Sequence, residues 1–373
     1  MKFLRLFTKG FFLTVNVLVV LLFLLACLAP IVSPEKFWPI GFFTLIFPFL
    51  LAALLVFLVI WALFHPKYAL IPLIAILVGW KSVTAFVALN WPGKRMAEKP
   101  ANSINVMSYN VGLFGLYREK NSAPTRDSII AFVKRQQPDI ACFQDFYTSE
   151  KPGDFNNRED LSREMKMPYR YFSSDFNRNG TQHWGSIIFS RYRIIQSDKI
   201  KLSKGPLSES LIYADIEKDG DTVRIINMHL ESYRFNEQDY NSIEKIKKQE
   251  DKGYVAAKRI VVKMREAFIR RAKQADIVAD FVKQSPHPII LCGDFNDTPA
   301  SYTYFKVKGS LQDAFLKRGS GIGRTFASLS PTLRIDYIFA SKEFAIHHFQ
   351  KINSDLSDHY PVMANVKLMS VNK

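Results

Sequence analysis

Two long uncharged stretches open this chain and restrict its fold more than any other feature. Residues 11–32 carry no charged side chain, and neither do residues 38–64. About 20 consecutive apolar residues are enough to cross a bilayer as a helix. A third apolar stretch covers residues 69–91, but Lys81 lies in it, and a charge at the bilayer centre costs about 3 kcal/mol on insertion scales. We predict three transmembrane helices within residues 1–91, with Lys81 snorkelling, facing the other helices or marking a partly interfacial segment.

The side of the membrane that the remaining chain occupies follows from the number of crossings. With a cytoplasmic N-terminus, Lys and Arg flank the stretches equally on both sides, so their bias does not decide the orientation. The first helix usually dominates, which favours the cytoplasmic N-terminus. Three crossings then place the C-terminal domain outside the cytoplasm, and two would reverse this. A cleaved signal ending at Leu24-Leu25-Ala26-Cys27 is an alternative for the first stretch only, and Leu25 fits such a motif poorly.

The charge of the chain restricts its partners. The formal net charge is +16 and the isoelectric point is about 9.6. Such a charge favours an anionic partner, namely nucleic acid, lipid headgroups or a phosphoester, although basic flanks of membrane helices would explain part of it. Three cysteines, Cys27, Cys142 and Cys292, lie in apolar runs without a CxxC pattern. This predicts free thiols, two of them buried in strands, and neither a disulfide framework nor a zinc site.

After a polar linker at residues 92–102, the chain reads as a soluble domain of strands and helices. An amphipathic helix is predicted over residues 126–137 and a long basic helical segment over residues 237–284. Apolar runs of strand length occur throughout this domain. The predicted strands are residues 104–110, 139–143, 184–190, 211–217, 222–230, 288–291, 335–339 and 362–368.

The basic segment is a second candidate for an anionic contact. Residues 241–273 contain eleven Lys and Arg against four Asp and Glu, a net charge of +7. The segment is either a solvated helix packed on the domain or a basic face towards phospholipid headgroups or a polyanionic substrate. Its aromatic residues, Tyr240, Tyr254 and Phe268, are too sparse to indicate stacking on nucleic-acid bases.

Polar residues cluster where the predicted strands end. The run Cys292–Thr298 passes from a buried strand into two carboxylates and an amide. Asp294 and Asn296 would point to the same side if the backbone stayed extended. Buried carboxylates are costly unless they are paired or bind a metal, so packing does not explain them. The strand-end set comprises Asn110, Asp145, His229, Asp294, Asn296, Asp336, Asp358 and His359.

These residue types suit phosphoester hydrolysis. Carboxylates hold Mg²⁺ or Mn²⁺, and such an ion neutralises phosphate charge. An imidazole moves protons near neutral pH, and a carboxylate orients it. The motifs resemble those of the endonuclease/exonuclease/phosphatase superfamily, in the same order, and the anchored layout is similar to its bacterial membrane-associated branch. The motifs are Ser108-Tyr109-Asn110, Phe143-Gln144-Asp145, Asn227-Met228-His229-Leu230, Gly293-Asp294-Phe295-Asn296-Asp297, Arg334-Ile335-Asp336-Tyr337-Ile338 and Ser357-Asp358-His359.

The resemblance implies an α/β fold for residues 103–373, with the basic segment as an insert. That fold is a four-layered α/β sandwich of two mixed β-sheets flanked by helices, here preceded by the membrane bundle. It further implies an integral protein of the bacterial inner membrane, and three crossings from a cytoplasmic N-terminus would place its catalytic domain on the periplasmic side.

The resemblance also implies roles for the strand-end residues. Asp294 and Asn296 would activate the attacking water and hold the phosphate. Asp336 would pair with His359, and His229 would be a second imidazole that contacts the phosphate or transfers a proton. These roles describe in-line attack of an activated water.

The implied metal seat departs from the family at one position. Asp145 would be a ligand of Mg²⁺ or Mn²⁺, with Asn110 and Asp358 near the ion and Asn110 also contacting the phosphate. The family usually has Glu where this chain has Asp145, whose side chain is one methylene shorter. The metal would then sit nearer the strand or be bridged by water.

The sequence predicts a membrane-anchored, divalent-metal-dependent phosphoesterase, in particular a phosphodiesterase. Its substrate would be a lipid headgroup, a small phosphodiester or nucleic acid, and the bilayer its other partner, without an obligate protein partner. A nuclease is one alternative. The other is a degenerate domain that serves as a membrane scaffold or binding module.

Overall fold

A computed structural model describes residues 2–91, 99–116, 122–203, 209–248 and 253–369, without the side chains of residues 2–7 and 247. The predicted linker at residues 92–102 therefore lies largely outside the described residues. The α-helices are α1 (Lys2–Ala26), α2 (Ile40–Phe64), α3 (Pro66–Val78), α4 (Trp80–Phe86), α5 (Ala123–Gln136), α6 (Asn157–Met165), α7 (Glu237–Lys247), α8 (Tyr254–Lys283), α9 (Tyr302–Lys308) and α10 (Ala314–Arg318). The strands are β1 (Ala88–Leu89), β2 (Ile104–Asn110), β3 (Ile140–Ser149), β4 (Tyr169–Arg178), β5 (Gln182–Ser190), β6 (Ile194–Lys201), β7 (Ser210–Lys218), β8 (Asp221–His229), β9 (Ile289–Asp294), β10 (Gln312–Asp313), β11 (Ser320–Gly321), β12 (Asp336–Ala340), β13 (Phe344–Lys351) and β14 (Val362–Leu368).

The chain divides into two compact units, and each contains segments that are distant in sequence. The anchor unit comprises Met1–Val87, Tyr233–Ala272 and Thr298–Lys306. The sandwich unit comprises Ala88–Ser232, Lys273–Asp297 and Val307–Lys373.

In the anchor unit, α1 and α2 are each long and apolar enough to cross a membrane. The third apolar stretch is bent, because α3 and α4 meet at 70°. The break lies at Gly79, where an added Cβ would come within 2.6 Å of the Phe23 ring and 2.7 Å of the Cys27 sulfur. Lys81 follows the break, in α4, and its Nζ lies 4.9 Å from the centre of the Phe305 ring. The bend therefore removes Lys81 from the straight part of the third apolar stretch.

The first part of α8 packs on the first turn of α2 within the anchor unit. The rings of Phe42 and Phe268 meet edge to face at 5.2 Å. An added Cβ on Gly41 would lie 2.5 Å from the Phe268 ring, so only glycine allows this approach. The Arg265 guanidinium lies 5.5 Å from the Trp38 ring centre. Cation–π and aromatic contacts thus join the basic insert to the start of a predicted membrane helix.

The basic segment forms α7 and α8 where the sequence predicts a continuous helical stretch, and residues 249–252 between them lie outside the described part of the chain. Asn236 caps α7 in a reciprocal capping box with Asp239. The buried Asp239 carboxylate also accepts hydrogen bonds from Arg259 Nε at 2.9 Å and Lys263 Nζ at 2.6 Å. Two of the basic residues therefore hold the two helices together and are not simply solvated.

The sandwich unit confirms the predicted fold class, because its two six-stranded sheets are mixed. One sheet has the order β10-β12-β9-β8-β7-β6, and the other has the order β13-β14-β2-β3-β5-β4. Within each sheet one neighbouring pair is parallel, β8 with β9 and β2 with β3. The apolar core contains side chains of both sheets, such as Ile104 of β2 and Ile290 of β9.

Side-chain types alternate along residues 104–110, and this alternation predicts a strand with one buried and one exposed face. The prediction is wrong, because every residue of β2 is buried. Ile104 and Val106 belong to the core cluster shared by the two sheets. Met107 and Tyr109 pack in a second cluster with Ile129 of α5. Both faces of β2 are covered, so the alternation reflects which layer each side chain enters.

Buried polar side chains connect the two sheets. Gln144 Nε2 of β3 donates to Asn227 Oδ1 of β8 at 2.6 Å. Asn227 Nδ2 donates to the backbone carbonyls of Phe143 and Ile187 at 3.0 and 2.9 Å. These bonds join the two sheets in the middle of β3 and close to the end of β8. The cysteines are free, as predicted, with Cys142 and Cys292 buried in strands.

Candidate functional site

The strand register brings predicted site residues to a common edge of one sheet. His229 ends β8, Asp294 ends β9, and the two are direct partners in the parallel pairing. Asp336 begins the antiparallel β12 and is the partner of Asp294 on the other side. Parallel strands end at the same edge, and an antiparallel neighbour begins there. Three titratable side chains from distant parts of the sequence therefore lie side by side.

Asp294 is the central residue of this arrangement. Its Oδ2 atom lies 3.6 Å from His229 Nε2 and 3.6 Å from His359 Nε2. Asn110 Nδ2, at the end of β2 in the other sheet, donates to the same oxygen at 3.1 Å. One carboxylate oxygen thus faces two imidazoles and one amide that belong to different elements of the sandwich.

The backbone around Asp294 explains the residue types that surround it. Gly293 has φ of 154°, and an added Cβ would lie 2.1 Å from the Met228 carbonyl oxygen, so a side chain does not fit there. Asn296 has φ of 51°, in the left-handed region that Asn tolerates better than most residues. The backbone is therefore not extended between Asp294 and Asn296, although their side chains come within 3.4 Å of each other. In this turn the backbone N–H of Asn296 donates to Asp294 Oδ1 at 2.8 Å. The side-chain Nδ2 of Asn296 donates to the Leu230 carbonyl at 2.9 Å.

His359 and Asp336 form the pair that the sequence predicts. His359 Nδ1 lies 3.0 Å from both carboxylate oxygens of Asp336. The Asp336 backbone N–H is in turn bonded to Thr325 Oγ1 at 3.1 Å. Because Nδ1 is occupied by the carboxylate, Nε2 is the ring atom that faces Asp294.

His229 has a carboxylate neighbour that the sequence reasoning missed. Its Nδ1 lies 3.6 Å from Glu209 Oε2 and 3.6 Å from Asp145 Oδ1. Leu211 pairs with Met228 in the antiparallel β7–β8 hairpin, which places Glu209 at the level of the strand end. The two strands were predicted over residues 211–217 and 222–230, so their antiparallel pairing is the signal that could have identified Glu209. Glu209 precedes its strand and therefore lies outside the set of strand-end residues.

The excess of carboxylates shifts the proton affinities of the site. Burial alone would lower the pKa of each imidazole, but Asp145, Glu209 and Asp294 raise the pKa of His229 to about 9. Asp336 and Asp294 likewise outweigh burial and raise the pKa of His359 to about 10. Burial raises the pKa of Glu209 to about 7. Burial also raises the pKa of Asp294 to about 6, against the attraction of His359.

The predicted metal ligands Asn110 and Asp145 belong to the other sheet and contact Asp294 and His229 at this edge. The oxygen donors of the predicted ligands fit a hard divalent cation. Asp145 is not at a strand end as predicted, because β3 continues to Ser149. It sits at an irregularity of this strand with φ of 46°, and its side chain is 43% exposed. Asn110 Nδ2 donates to Asp145 Oδ2 at 3.2 Å, so the two side chains are close enough to contact one ion, although Asn110 would have to turn its amide oxygen outward. Asp358 is joined to them through Ser357, whose Oγ donates to the Asn110 carbonyl at 2.9 Å and to Asp358 Oδ1 at 3.3 Å.

A second group of potential ligands is already satisfied internally. Asp294, Asp336 and His359 bring ligand atoms within 4.8 Å of one another. The two Asp336 oxygens are, however, held by His359 Nδ1, and Asp294 accepts from Asn110 and Asn296. Asp145 has the more exposed carboxylate, so it is the better candidate for binding an ion from solvent.

Fold and site together define an α/β sandwich of two mixed sheets with paired imidazoles and carboxylates where the strands end. A sequence profile of the Endonuclease/Exonuclease/phosphatase family matches residues 107–359, about two thirds of the chain. The chain belongs to this family. A second profile, described as a domain of unknown function, matches residues 9–86.

Solved structures share the fold at low sequence identity. The endonuclease/exonuclease/phosphatase family protein from Bacteroides thetaiotaomicron is 19% identical, with 72% of this chain and 98% of that chain covered and a TM-score of 0.51. The corresponding protein from Bacteroides vulgatus is 17% identical, with 71% and 99% covered and a TM-score of 0.52. The human Nocturnin catalytic domain with bound sulfate is 18% identical, with 73% and 97% covered and a TM-score of 0.50. A comparison with curated proteins found no match.

Proposed function

We propose that this protein is a membrane-anchored, divalent-metal-dependent phosphodiester hydrolase that acts by in-line attack of water. The observation that carries the proposal is the position of Asp294 Oδ2, 3.6 Å from the Nε2 atoms of both His229 and His359. A buried carboxylate between two imidazoles suits an exchange of protons among a water, a phosphate oxygen and a leaving oxygen.

Each step of this chemistry is assigned to residues of the chain. Asp294, whose pKa is raised to about 6, accepts a proton from the attacking water. Asn296 holds Asp294 through its backbone N–H, and its side chain is in reach of the same carboxylate at 3.4 Å. His359, held by Asp336, and His229 carry positive charge towards the phosphate and donate a proton to the leaving oxygen.

Asp145, Asn110 and Asp358 are the residues that would hold Mg²⁺ or Mn²⁺. When bound, the ion would neutralise phosphate charge and polarise the ester. Asn110 serves both parts of the site, because its amide contacts Asp145 as well as Asp294. This amide links the candidate cation seat to the carboxylate that would activate the water.

We place the sandwich unit on the extracytoplasmic side of a bacterial inner membrane, and we favour a lipid headgroup or another small phosphoester as the substrate. Two apolar helices long enough to span a membrane support the anchoring. The basic insert, which packs on the start of α2, supports a location near anionic headgroups.

The test is hydrolysis of a generic phosphodiester by the full chain in detergent, with EDTA and with added Mg²⁺ or Mn²⁺. The full chain is required because Phe268 and Ala300 are buried among residues of the anchor unit. We expect activity that EDTA abolishes and that Asp294→Asn lowers by about 10²-fold or more. Asp221→Asn is the matched control, since Asp221 is exposed at the start of β8 in the same unit. Activity that survives both EDTA and Asp294→Asn would refute the mechanism.

Plasmid DNA and mixed phospholipid vesicles, assayed side by side, separate the possible substrates. Turnover of lipid with intact DNA supports the favoured substrate class. Rapid nicking of DNA with intact lipid supports the nuclease. A chain that binds neither Mg²⁺ nor Mn²⁺ calorimetrically and cleaves nothing supports the scaffold.

A further inference from the structure

The first half of α8 has an exposed side whose composition is unusual for a surface in water. Tyr254 and Val255 are 77% and 78% exposed, and Val262 is 43% exposed. Lys258 and Arg265 are exposed as well. The spacing of these positions places all five along one side of the helix. We name Tyr254, Val255, Lys258, Val262 and Arg265 the interfacial face.

The opposite side of the same helix is already packed. Ile260 is 8% exposed, Ala267 is 2% exposed and Arg271 is fully buried. Phe268, at 1% exposure, packs against Phe42 and Tyr233 of the anchor unit. The helix therefore has its core contacts without the interfacial face, and the valines and tyrosine there contribute nothing to the interior.

The interfacial face lies next to the point where a predicted membrane helix begins. Arg265, its last member, stacks on Trp38 just before α2, and Phe268 follows one turn later against Gly41 and Phe42. The first turn of a spanning helix lies at the boundary between headgroups and acyl chains, where Trp and Tyr are enriched. The contacts thus fix this part of α8 at the depth of the boundary.

We infer that the interfacial face lies on the surface of an anionic bilayer, with Lys258 and Arg265 on lipid phosphates and Tyr254, Val255 and Val262 among the upper acyl chains. Helices that lie in this plane combine apolar and basic residues on the side that meets the lipid, and anionic lipids attract them. The inference rests on the proposed membrane anchoring and is independent of the proposed phosphoesterase activity.

Contact between the interfacial face and the lipid can be tested with a single environment-sensitive fluorophore. Val255→Cys is labelled in a Cys27→Ala background, because Cys142 and Cys292 are fully buried. The full chain is placed in lipid nanodiscs of phosphatidylcholine with or without phosphatidylglycerol, and quenching by a headgroup-depth nitroxide lipid is measured. We expect quenching to be at least about twofold stronger in the anionic discs. A label at Lys283→Cys, at the other end of α8, is expected to show no such difference.

Variants that remove a charge identify the residues responsible for the stronger quenching in anionic discs. Lys258→Gln with Arg265→Gln should lower the quenching in anionic discs to the level in neutral discs. Lys317→Gln with Lys342→Gln removes the same charge from exposed positions of the sandwich unit and should leave the quenching unchanged. A loss of quenching with this control pair would show a nonspecific charge effect and overturn the inference.

The remaining outcomes separate the inference from the proposals on which it rests. A chain that co-elutes with the discs but carries an unquenched label refutes the lipid contact alone, and cross-linking between two labelled copies would then assign the face to a dimer. A chain that does not co-elute with the discs refutes the anchoring and the inference together. Metal-dependent hydrolysis, assayed on the same samples, reports on the phosphoesterase separately.

Discussion

At the scale of single residues, the pairing of His359 with Asp336 predicts the alkaline limit of activity. The carboxylates around His359 raise its pKa to about 10 although burial opposes them. The His359 imidazolium therefore persists through neutral pH, and the activity, which also needs the charged His229 with its pKa of about 9, falls as the pH rises through about 9. In Asp336→Asn the desolvation of His359 is no longer compensated, so we expect the pKa of His359 to fall below that of His229 and the alkaline limit to move down by about one pH unit or more. The measurement is kcat/KM against pH for both chains, and an unmoved limit would contradict the assignment.

Asp145 predicts the metal requirement of the same site. Its carboxylate is 43% exposed, whereas those of Asp294 and Asp336 are buried, and it lies next to Asn110. Asp145→Asn keeps the shape but removes the charge, so the metal concentration for half-maximal activity should rise by about tenfold or more. Titration of activity with Mn²⁺ measures this, with Asp221→Asn for comparison. Equal metal requirements in the two variants would place the ion elsewhere.

The limits of sequence reasoning at this scale lie in backbone conformation and register. Asp294 and Asn296 could be recognised by residue type, but the left-handed turn at Asn296 depends on how the chain leaves β9. Glu209 became a neighbour of His229 only through the pairing of β7 with β8. Candidate site residues can be recognised from the local sequence. The directions in which their side chains point depend on which strands pair with each other.

At the scale of elements, the approach of α8 to α2 depends on Gly41. An added Cβ would meet the Phe268 ring at 2.5 Å, and overpacking of this kind costs about 1–3 kcal/mol. Gly41→Ala should therefore lower the thermal unfolding midpoint of the full chain in detergent. Gly10→Ala is the matched control, because nothing lies within 4 Å of its added Cβ. If the two glycines tolerate alanine equally, α8 is not seated on α2 as described.

The tie between α7 and α8 predicts a pH-dependent contribution to stability. Burial works against ionisation of Asp239, but hydrogen bonds from Lys263, the Asn236 backbone and Arg259 hold its pKa below the ordinary value. A lowered pKa in the folded state means that the contribution is present above about pH 4 and is lost as the pH falls further.

Asp239→Asn isolates this charge, because the amide oxygen can still accept the capping bond. The variant should unfold about 1–3 kcal/mol more easily at pH 7. The difference from the unaltered chain should shrink towards pH 3, as followed by thermal unfolding at the two pH values. A difference that is equal at both would show that the hydrogen bonds, and not the charge, stabilise the pair.

The secondary-structure elements differ in how well they can be predicted from their local sequences. Strand β14 and its bounds were predicted directly, since a short apolar run with turn residues on either side has few alternatives. The prediction of a helical segment over residues 237–284 did not locate the end of α7 or the start of α8, although Gly253, just before α8, has low helix propensity. The bend at Gly79 could not be predicted either, because it depends on contacts with Phe23 of α1 and with Cys27, which follows α1.

At the scale of the whole molecule, the division into units shows what the linear sequence could not. The anchor and the sandwich were recognisable as apolar and mixed stretches, and the family motifs identified the sandwich. Tyr233–Ala272 and Thr298–Lys306, however, lie between sandwich segments in sequence and belong to the anchor unit. Membership in a unit is set by long-range packing, such as that of Ala300 with Phe23 and Phe47.

The number of crossings decides on which side of the membrane the sandwich unit lies, and the contacts within the anchor favour three. Lys9 Nζ lies over the Tyr68 ring at 4.7 Å, near the starts of α1 and α3. Gly79 meets Phe23 and Cys27 at the other end of α1. The 13 residues of α3 span about 20 Å, so α3 passes through the same depth as α1 between these contacts.

We therefore expect opposite locations for two points in the chain. With a cytoplasmic N-terminus, alkaline phosphatase fused after residue 65 should stay inactive, and the same fusion after residue 369 should be active, because this enzyme matures only outside the cytoplasm. Green fluorescent protein fused at the same points should give the inverse pattern. The chain carries equal numbers of basic flanking residues on both sides of the membrane, so loss of one should change the orientation. Lys67→Glu should therefore weaken the preference for a cytoplasmic N-terminus more than Lys342→Glu, because Lys342 lies far along the chain from the apolar helices. Phosphatase activity after residue 65 without activity after residue 369 would place the sandwich unit, and with it the phosphoester site, in the cytoplasm.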